Sequence, residues 1–509
     1  MSLLAIDMGS SSCKAVVYAT DGRIVAETSL AYASNTALPS RAELQADVFW
    51  QTFREVTGNL SRACVSDPIE AIGISSHGET FTAVDDHNQP ITPAILNRDD
   101  RAAVQTDLLR RKFDPHRIFE ITGLTIHPMY PLPKILWMRE HQPDVFARTR
   151  RWLPVTSYLL ARLGVQPCVD YSLASRFLAF DVRRKEWSGE ILDACELNRD
   201  HFPTAVPAGT VAGELSSGIA SELGVPAGVP VVVGGHDQPC AALGMGAIEP
   251  GRVSASLGTY ECLLAPSKEP AMNEDAYAAN LNTYCHVVPD RYVTLAYFPA
   301  GIMLEWFLGL FRNVQEDKDQ TIDRACSEWE SRATSGPGGL LISPHLLGTC
   351  NPDFDPAASG VIVGLRPATS ASDIYQGIQE GIACEFAAMA KLLQRVAGNF
   401  RNVYVTGGGC RSKLGMKLRA ALSGCNLFRT SSSDAVCLGT AILAGVGAGK
   451  YKSIPQTVER LVRVTAPEEP DPKLAAAYRD YMRRYSVLYS SLASLRQSSS
   501  STSNLQEDL

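Results

Sequence analysis

The feature that most constrains this chain is a strand, a turn of small polar residues and a second strand, a pattern that occurs twice and far apart. The first copy runs from Leu3-Leu4-Ala5-Ile6 through Asp7-Met8-Gly9-Ser10-Ser11-Ser12-Cys13-Lys14 into Ala15-Val16-Val17-Tyr18, and on through Asp21-Gly22 into Arg23-Ile24-Val25-Ala26. The second is Val253-Ser254-Ala255-Ser256-Leu257-Gly258-Thr259-Tyr260-Glu261-Cys262-Leu263-Leu264. Short apolar runs bounded by turn residues predict buried strands, and such turns present backbone N–H groups in a way that suits phosphate. In the first turn Gly9 permits close backbone approach, Ser10, Ser11 and Ser12 supply donors, and Lys14 brings a positive charge. Asp7 suits a hydrated magnesium ion, which takes one or two carboxylates beside phosphate oxygens. Two hairpins of one kind imply two similar domains that face one nucleotide.

A third segment, Gly234-Gly235-His236-Asp237-Gln238, follows the apolar run Val229 to Val233. A carboxylate at a strand end is placed to take a proton from a hydroxyl, and the Gly258-Thr259 turn can hold the group that this hydroxyl attacks. Together they suggest phosphoryl transfer to an alcohol; each alone also reads as a loop aspartate and a tight turn. Further on, Val403-Tyr404-Val405-Thr406 predicts a strand, Gly407-Gly408-Gly409 a turn, and Ser412 to Leu422 a helix. Such a turn lets a flat ring or phosphate lie against bare backbone, or simply joins strand to helix.

With these motifs in order, the chain resembles the FGGY family of carbohydrate kinases, of the actin-like ATPase superfamily. The opening turn resembles the family's first phosphate motif, with Ser10 in place of the usual Thr; Asp237 falls on its catalytic aspartate and Ser256-Leu257-Gly258-Thr259 on its second phosphate loop. Gly407-Gly408-Gly409 with Ser412 is similar to the adenosine motif, and Asp434 to Ala441 to the helix after it. Thr122-Gly123-Leu124, Lys134 with Trp137, Asp170 to Ser175, and Asp355-Pro356 with Gly360 also sit in family order, so the resemblance spans residues 3 to 450. Departures are Gly415 where tryptophan is frequent, Asp434 for Glu, and Gly348-Thr349-Cys350-Asn351-Pro352 where an acidic and a basic residue are usual.

The resemblance implies an α/β protein of two ribonuclease-H-like domains flanking a nucleotide and sugar cleft: a sugar-binding domain at 1–246 and a nucleotide-binding domain at 247–495. Within the latter, Tyr478, Met482, Tyr485 and Leu488 at helical spacing predict a closing helix from Leu474 to Leu495, and the composition of 496–509 reads as a disordered Ser-rich tail. The resemblance also implies transfer of the ATP γ-phosphoryl group to a primary hydroxyl of a small ketose or polyol, a pentulose first. Asp237 would be the general base, Mg2+ would sit near Asp7 and Asp237, and Gly9, Ser10 to Ser12, Lys14, Gly258 and Thr259 would hold phosphates. Gly301, Gly408, Gly409 and Ser412 would touch the nucleoside. The sugar site would follow Ile72-Gly73-Ile74, in Ser75-Ser76-His77-Gly78-Glu79-Thr80. Glu79 stands where glycerol kinases keep an acidic residue and xylulokinases a histidine, and Gly78 where glycerol kinases have arginine. Glu79, Asp237 and Gln238 would form a hydroxyl clamp with His77 as an added donor; the plainer readings are a hydrogen-bonded strand-end His77 and a surface-turn Glu79. Asn97 replaces a tryptophan, Met129 stands at a glycerol kinase tyrosine, and Asp99 with Arg101 would support the site or pair with each other.

The 509 residues, 45% hydrophobic, can build two cores of ordinary size, since domains commonly hold ~100–250 residues. A net charge of −7 gives no broad reason to expect nucleic acid or membrane as a partner. The 13 cysteines form no C-x-x-C pair, which fits reduced, mostly buried thiols without a zinc site. The first strand starts within two residues of the N-terminus, and no apolar run approaches the ~20 residues that span a bilayer. The expectation is a soluble cytoplasmic enzyme, with a homodimer as the default assembly. Two other functions share the fold: an actin-like ATPase acting on a partner, and a catalytically silent sugar-binding homologue.

Overall fold

The computed structural model describes residues 2–492 apart from 33–34, 39–40, 65, 312–317 and 433. The expected tail at 496–509 lies outside the described residues. The first sheet is built from β1 (Ser2–Met8), β2 (Ser12–Ala19), β3 (Ile24–Ala31), β4 (Ile69–Ser76), β5 (Val211–Glu214) and β6 (Pro230–His236), in the spatial order β5-β6-β4-β1-β2-β3. The second uses β7 (Arg252–Leu257), β8 (Tyr260–Ser267), β9 (Asn282–Cys285), β10 (Tyr292–Pro299), β11 (Asn402–Thr406) and β12 (Asn426–Arg429), in the order β9-β10-β8-β7-β11-β12. Each sheet therefore holds an antiparallel three-strand meander followed by two parallel strands: β3-β2-β1-β4-β6 in one, β10-β8-β7-β11-β12 in the other. This is the duplication that the two hairpins announce, and it is the actin-like ATPase fold.

β1 and β4 are buried on both faces, so their sequences are apolar without alternation, as doubly covered parallel strands must be. One face is closed by α1 (Ala46–Ala63), whose Phe49, Trp50, Phe53, Val56 and Leu60 recur at helical spacing and are buried. Each such side chain contributes roughly 1.5–3 kcal/mol of apolar burial. A smaller sheet of Asn35–Leu38, Arg41–Leu44, Ala94–Ile95, Phe81–Val84 and Arg151–Pro154 is inserted in this half, and Phe81 to Val84 continues the chain beyond the end of β4.

Two helices join the halves. α2 (Asp237–Gly244) leaves β6, and α6 (Ala435–Gly447) lies much later, after α3 (Gly301–Gly309), α4 (Ala371–Ala397) and α5 (Lys413–Ser423). α6 packs along α2 and across β1 and β4 of the first sheet, and it is apolar almost all round because both sides are covered. The closing region is three short helices, Pro472–Ala477, Arg479–Ser486 and Leu488–Ser491, where the spacing predicts one. Tyr478 and Tyr485 hold them to α4 by donating to Glu380 and Glu385, both at 2.7 Å. No described helix is long and apolar enough to cross a membrane.

Candidate functional site

Strand register assembles the first half of the site. Asp7 pairs with Ser75 across β1 and β4, and Ser76 pairs with His236 across β4 and β6. Asp7, the Ser75 to His77 segment and Asp237 thus emerge at the carboxyl ends of three adjacent parallel strands. Asp7 is buried and accepts from Ser75 Oγ at 3.2 Å. Asp237 opens α2, half-buried, with its Oδ1 3.1 Å from His236 Nε2. Burial, then the charges of Asp7 and Glu79, hold the Asp237 carboxyl well above the usual range; burial and Asp434 push Asp7 in the same direction. Burial pushes the His236 imidazole well toward its neutral form, so the ring stands beside Asp237 without adding charge. Gln238 is the next residue on the first turn of α2, half-buried.

The first phosphate turn is closed by Gly9 N–H donating to Ser12 O at 2.9 Å, and by the Tyr32 hydroxyl, which reaches the Gly9 and Ser12 carbonyls. Ser10 and Ser12 are half-buried and Ser11 is exposed. Lys14, half-exposed, pairs with Asp434 Oδ2 at 3.1 Å, and Asp434 in turn caps α6 through Cys437 N–H at 2.9 Å. The lysine expected for phosphate therefore also ties the first hairpin to the helix from the other half.

In the second half, Ser256 pairs with Thr406 across β7 and β11, which brings the Gly258-Thr259 turn beside Gly407 to Gly409. Gly407 has φ +99, and a Cβ there would strike Leu257 O, so the turn tolerates only glycine. Gly301, at the start of α3, donates to Gly258 O at 3.1 Å. These residues line a cavity of about 540 Å3 whose apolar wall includes Leu304, Leu308 and Ile382. Ser412 caps α5 by accepting from Gly415 N–H at 2.9 Å and donates to Glu330 Oε1 at 2.5 Å, where the Tyr375 hydroxyl also donates at 2.9 Å. Glu330 was not legible in the sequence, because it lies on a polar helix without a motif. At Gly415, the room that a larger side chain would take is filled by Gln379 and Arg419. Arg419 pairs with Glu261, both side chains 2% exposed.

The sugar-side residues come together less freely than the sequence implies. Both ring nitrogens of His77 are engaged within the protein, Nδ1 with Met8 O and Nε2 with Thr80 Oγ1, each at 2.7 Å. This is the arrangement of a hydrogen-bonded strand-end histidine, and burial keeps it neutral. Glu79 is buried, not a surface-turn residue, and holds φ +62, a conformation that costs a non-glycine residue of order 1 kcal/mol. Its Oε1 accepts from Arg176 Nε at 2.5 Å. Arg176 stands one residue beyond the Asp170 to Ser175 segment, and only that adjacency signalled it. Lys134 Nζ donates to Leu96 O at 2.7 Å, Met129 O at 2.8 Å and Asn97 O at 3.4 Å, so it fastens the two segments where aromatic residues are usual. Asp99 and Arg101 do pair, Nε to Oδ1 at 2.7 Å, and Asp99 Oδ2 also accepts from Ala42 N–H at 2.7 Å. Where charges are missing at Thr349-Cys350, the Asn351 side chain accepts from Tyr297 N–H at 3.0 Å and donates to Ala279 and Asn280 carbonyls.

Residues 2–244 match the N-terminal domain, and residues 253–448 the C-terminal domain, of the FGGY family of carbohydrate kinases. The chain is 27% identical to a xylulose kinase of Escherichia coli over 97% of its own length and 99% of the relative's. It is 24% identical to a gluconokinase of Bacillus subtilis over 94% of each. The crystal structure of a gluconate kinase from Lactobacillus acidophilus shares the fold with a TM-score of 0.87 at 22% identity, covering 97% of this chain and 98% of that one. Paired sheets, an aspartate beyond β6 and glycine turns on both sides of one cleft agree with the match along the chain, which therefore belongs to the FGGY family of carbohydrate kinases, phosphotransferases that act on sugar hydroxyls with ATP as donor.

Proposed function

We propose that the enzyme moves the γ-phosphoryl group of ATP to a primary hydroxyl of a small ketose or polyol, a pentulose first, with Asp237 as general base. The observation that carries this reading is the position of Asp237: on the first turn of α2, at the end of β6, 3.1 Å from the neutral His236 ring and close enough to Asp7 and Glu79 to feel both charges. A carboxyl whose proton affinity is raised is a better base toward an alcohol than an exposed aspartate. Gln238, Glu79 and His77 belong to the sugar half, His77 through the shape it gives the Met8 to Thr80 corner.

In this reading Ser10 to Ser12 and Gly258-Thr259 hold the β- and γ-phosphates from opposite halves, and Gly301, Gly408, Gly409 and Ser412 line the nucleoside. Asp7 and Asp237 fit a magnesium ion, since both carboxyls are pushed up by burial and neighbouring negative charge, Asp434 for Asp7 and Asp7 for Asp237, and a cation beside the turn would relieve that. When bound, that ion would neutralise charge on the transferring group. Closure of the halves excludes water and limits ATP hydrolysis.

Xylulose kinases and gluconokinases both occur among the relatives, so the substrate follows from the site, not from the family. The test is a coupled ADP-release screen over ketoses, polyols and sugar acids of three to seven carbons. ADP release that depends on a neutral sugar is expected. ATP use that needs no sugar would favour an ATPase acting on a partner, and silence across the panel a sugar-binding homologue.

A further inference from the structure

Beside Asp237 lies a buried ion pair whose arginine the transfer mechanism does not use. Arg176 and Glu79 meet with side chains 2% and 5% exposed. The guanidinium lies between the rings of Tyr130 and Tyr284, its Cζ 5.3 and 4.8 Å from their centroids, an arrangement in which two π faces and one carboxylate fix its orientation. Tyr284 comes from β9 of the second sheet, so the clamp spans both halves. Room for it exists because residue 78 is glycine: a Cβ there would crowd His236 and the Arg176 stem.

The hydrogen bonding of this pair is incomplete. Arg176 Nη1 and the Tyr284 hydroxyl are buried and have no partner among the described residues, nor has Nδ1 of the adjacent His236. The bond from Arg176 Nε occupies only Oε1 of Glu79. Buried groups left this way ordinarily find a partner, and the substrate is the partner this half of the cleft is built to admit.

Asp237 faces the pair, its carboxyl feeling both Glu79 and Arg176. His77 and His236 are kept neutral by burial. Lys14 is tied to Asp434, and Lys134 to the Leu96, Asn97 and Met129 carbonyls. Arg176 is the buried cation that Glu79 already balances; the other cations near this site among the described residues are Arg98, exposed and acting on the His77 ring, and Arg101, paired with Asp99 and Glu43.

Resting on the kinase reading above, we propose that the Glu79–Arg176 pair is a charge filter that admits uncharged sugars and turns away sugar acids. A hydroxyl both donates and accepts, so it satisfies Glu79 Oε2 and Arg176 Nη1 together. A carboxylate only accepts; it meets a guanidinium already neutralised, with the Glu79 carboxylate beside it, and that like-charge contact rejects it.

The filter is tested with the full chain by coupled ADP release on D-xylulose and D-gluconate, or on whichever neutral sugar of the panel turns over fastest in place of D-xylulose. Wild type prefers the neutral sugar. Glu79→Gln leaves the guanidinium unbalanced, and the kcat/KM ratio of D-gluconate to the neutral sugar rises by about tenfold or more, the factor expected for removing one close like charge. Arg176→Met raises the KM of the neutral sugar by about tenfold while the KM of ATP stays within about twofold. Because that variant strands a buried carboxylate and can fail to fold, the double variant Glu79→Gln with Arg176→Met is measured beside it; it loses affinity for the neutral sugar without gaining D-gluconate. A wild type that prefers D-gluconate, or a ratio unmoved in Glu79→Gln, overturns the filter and leaves the kinase reading standing. A wild type silent on every sugar overturns the kinase reading and the filter with it.

Discussion

Gly244 of α2 and Gly439 of α6 cross so closely that a Cβ on Gly244 would overlap the Ala435 carbonyl, and one on Gly439 would overlap the Cys240 carbonyl. The two helices lie far apart in the chain, one opening with Asp237 and the other capped by Asp434, which pairs with Lys14 of the first hairpin. Backbone contact at this crossing holds α2, which leaves the first sheet, against α6, which packs across β1 and β4.

Gly439→Ala is therefore expected to destabilise the fold by about 1–3 kcal/mol, as overpacking of a tight contact does. Urea unfolding checks the loss. The same variant should raise the KM of ATP, since shifting α6 shifts Asp434, the partner of Lys14; an unaltered KM would detach the crossing from the nucleotide site.

Breaking the Glu261–Arg419 pair behind the nucleoside cavity should cost more than removing it. Both side chains are 2% exposed, so Arg419→Met strands a buried carboxylate at about 3–5 kcal/mol, while Glu261→Gln with Arg419→Met recovers most of that loss. Denaturant midpoints of the two single variants and the double variant give the coupling directly.

Glu330 orders the mouth of the same cavity by accepting from both Ser412 and Tyr375. Hydrogen bonds to a charged group contribute ~1.5–3 kcal/mol, so Glu330→Ala should raise the KM of ATP by about tenfold or more and leave the sugar KM unchanged. Initial-rate kinetics with each substrate varied in turn separates the two constants.

Lys134 carries a pH signature. Burial pushes its ammonium down to about 7, whereas an unfolded chain keeps it near ~10.4. Between these values the unfolded state binds a proton that the folded state lacks, so this group's contribution to stability rises with pH, and its penalty is complete below the lower value. Relative to Lys134→Met, wild type should gain stability as pH is raised from neutrality toward 9. A difference in denaturant midpoint that stays flat over that range would mean the lysine keeps its proton in the fold.

The fold was legible because its signals are local: a hairpin with a small-polar turn reads as such wherever it occurs, and the two copies at Asp7 and Gly258 lead directly to two matching sheets. Ser412 as the start of a helix was equally visible from its cap chemistry. What the sequence hid was pairing at a distance. Arg176 reaches Glu79 across 97 positions, and Arg419 reaches Glu261 across 158, and nothing near either arginine marks its partner. The sequence allows His77 to be either a donor to the sugar or a strand-end residue, and the choice rests on Met8 and Thr80, which fold back to occupy both its nitrogens.

The most direct test of the account is sugar-dependent ADP release by wild type and Asp237→Asn, measured on the full chain with saturating ATP. The account predicts that wild type turns over a neutral ketose or polyol, and that the variant loses about 10²-fold or more in kcat with both KM values nearly unchanged, as removal of a general base requires. A variant that retains near-normal turnover, or a wild type whose ADP release ignores the sugar, would contradict it.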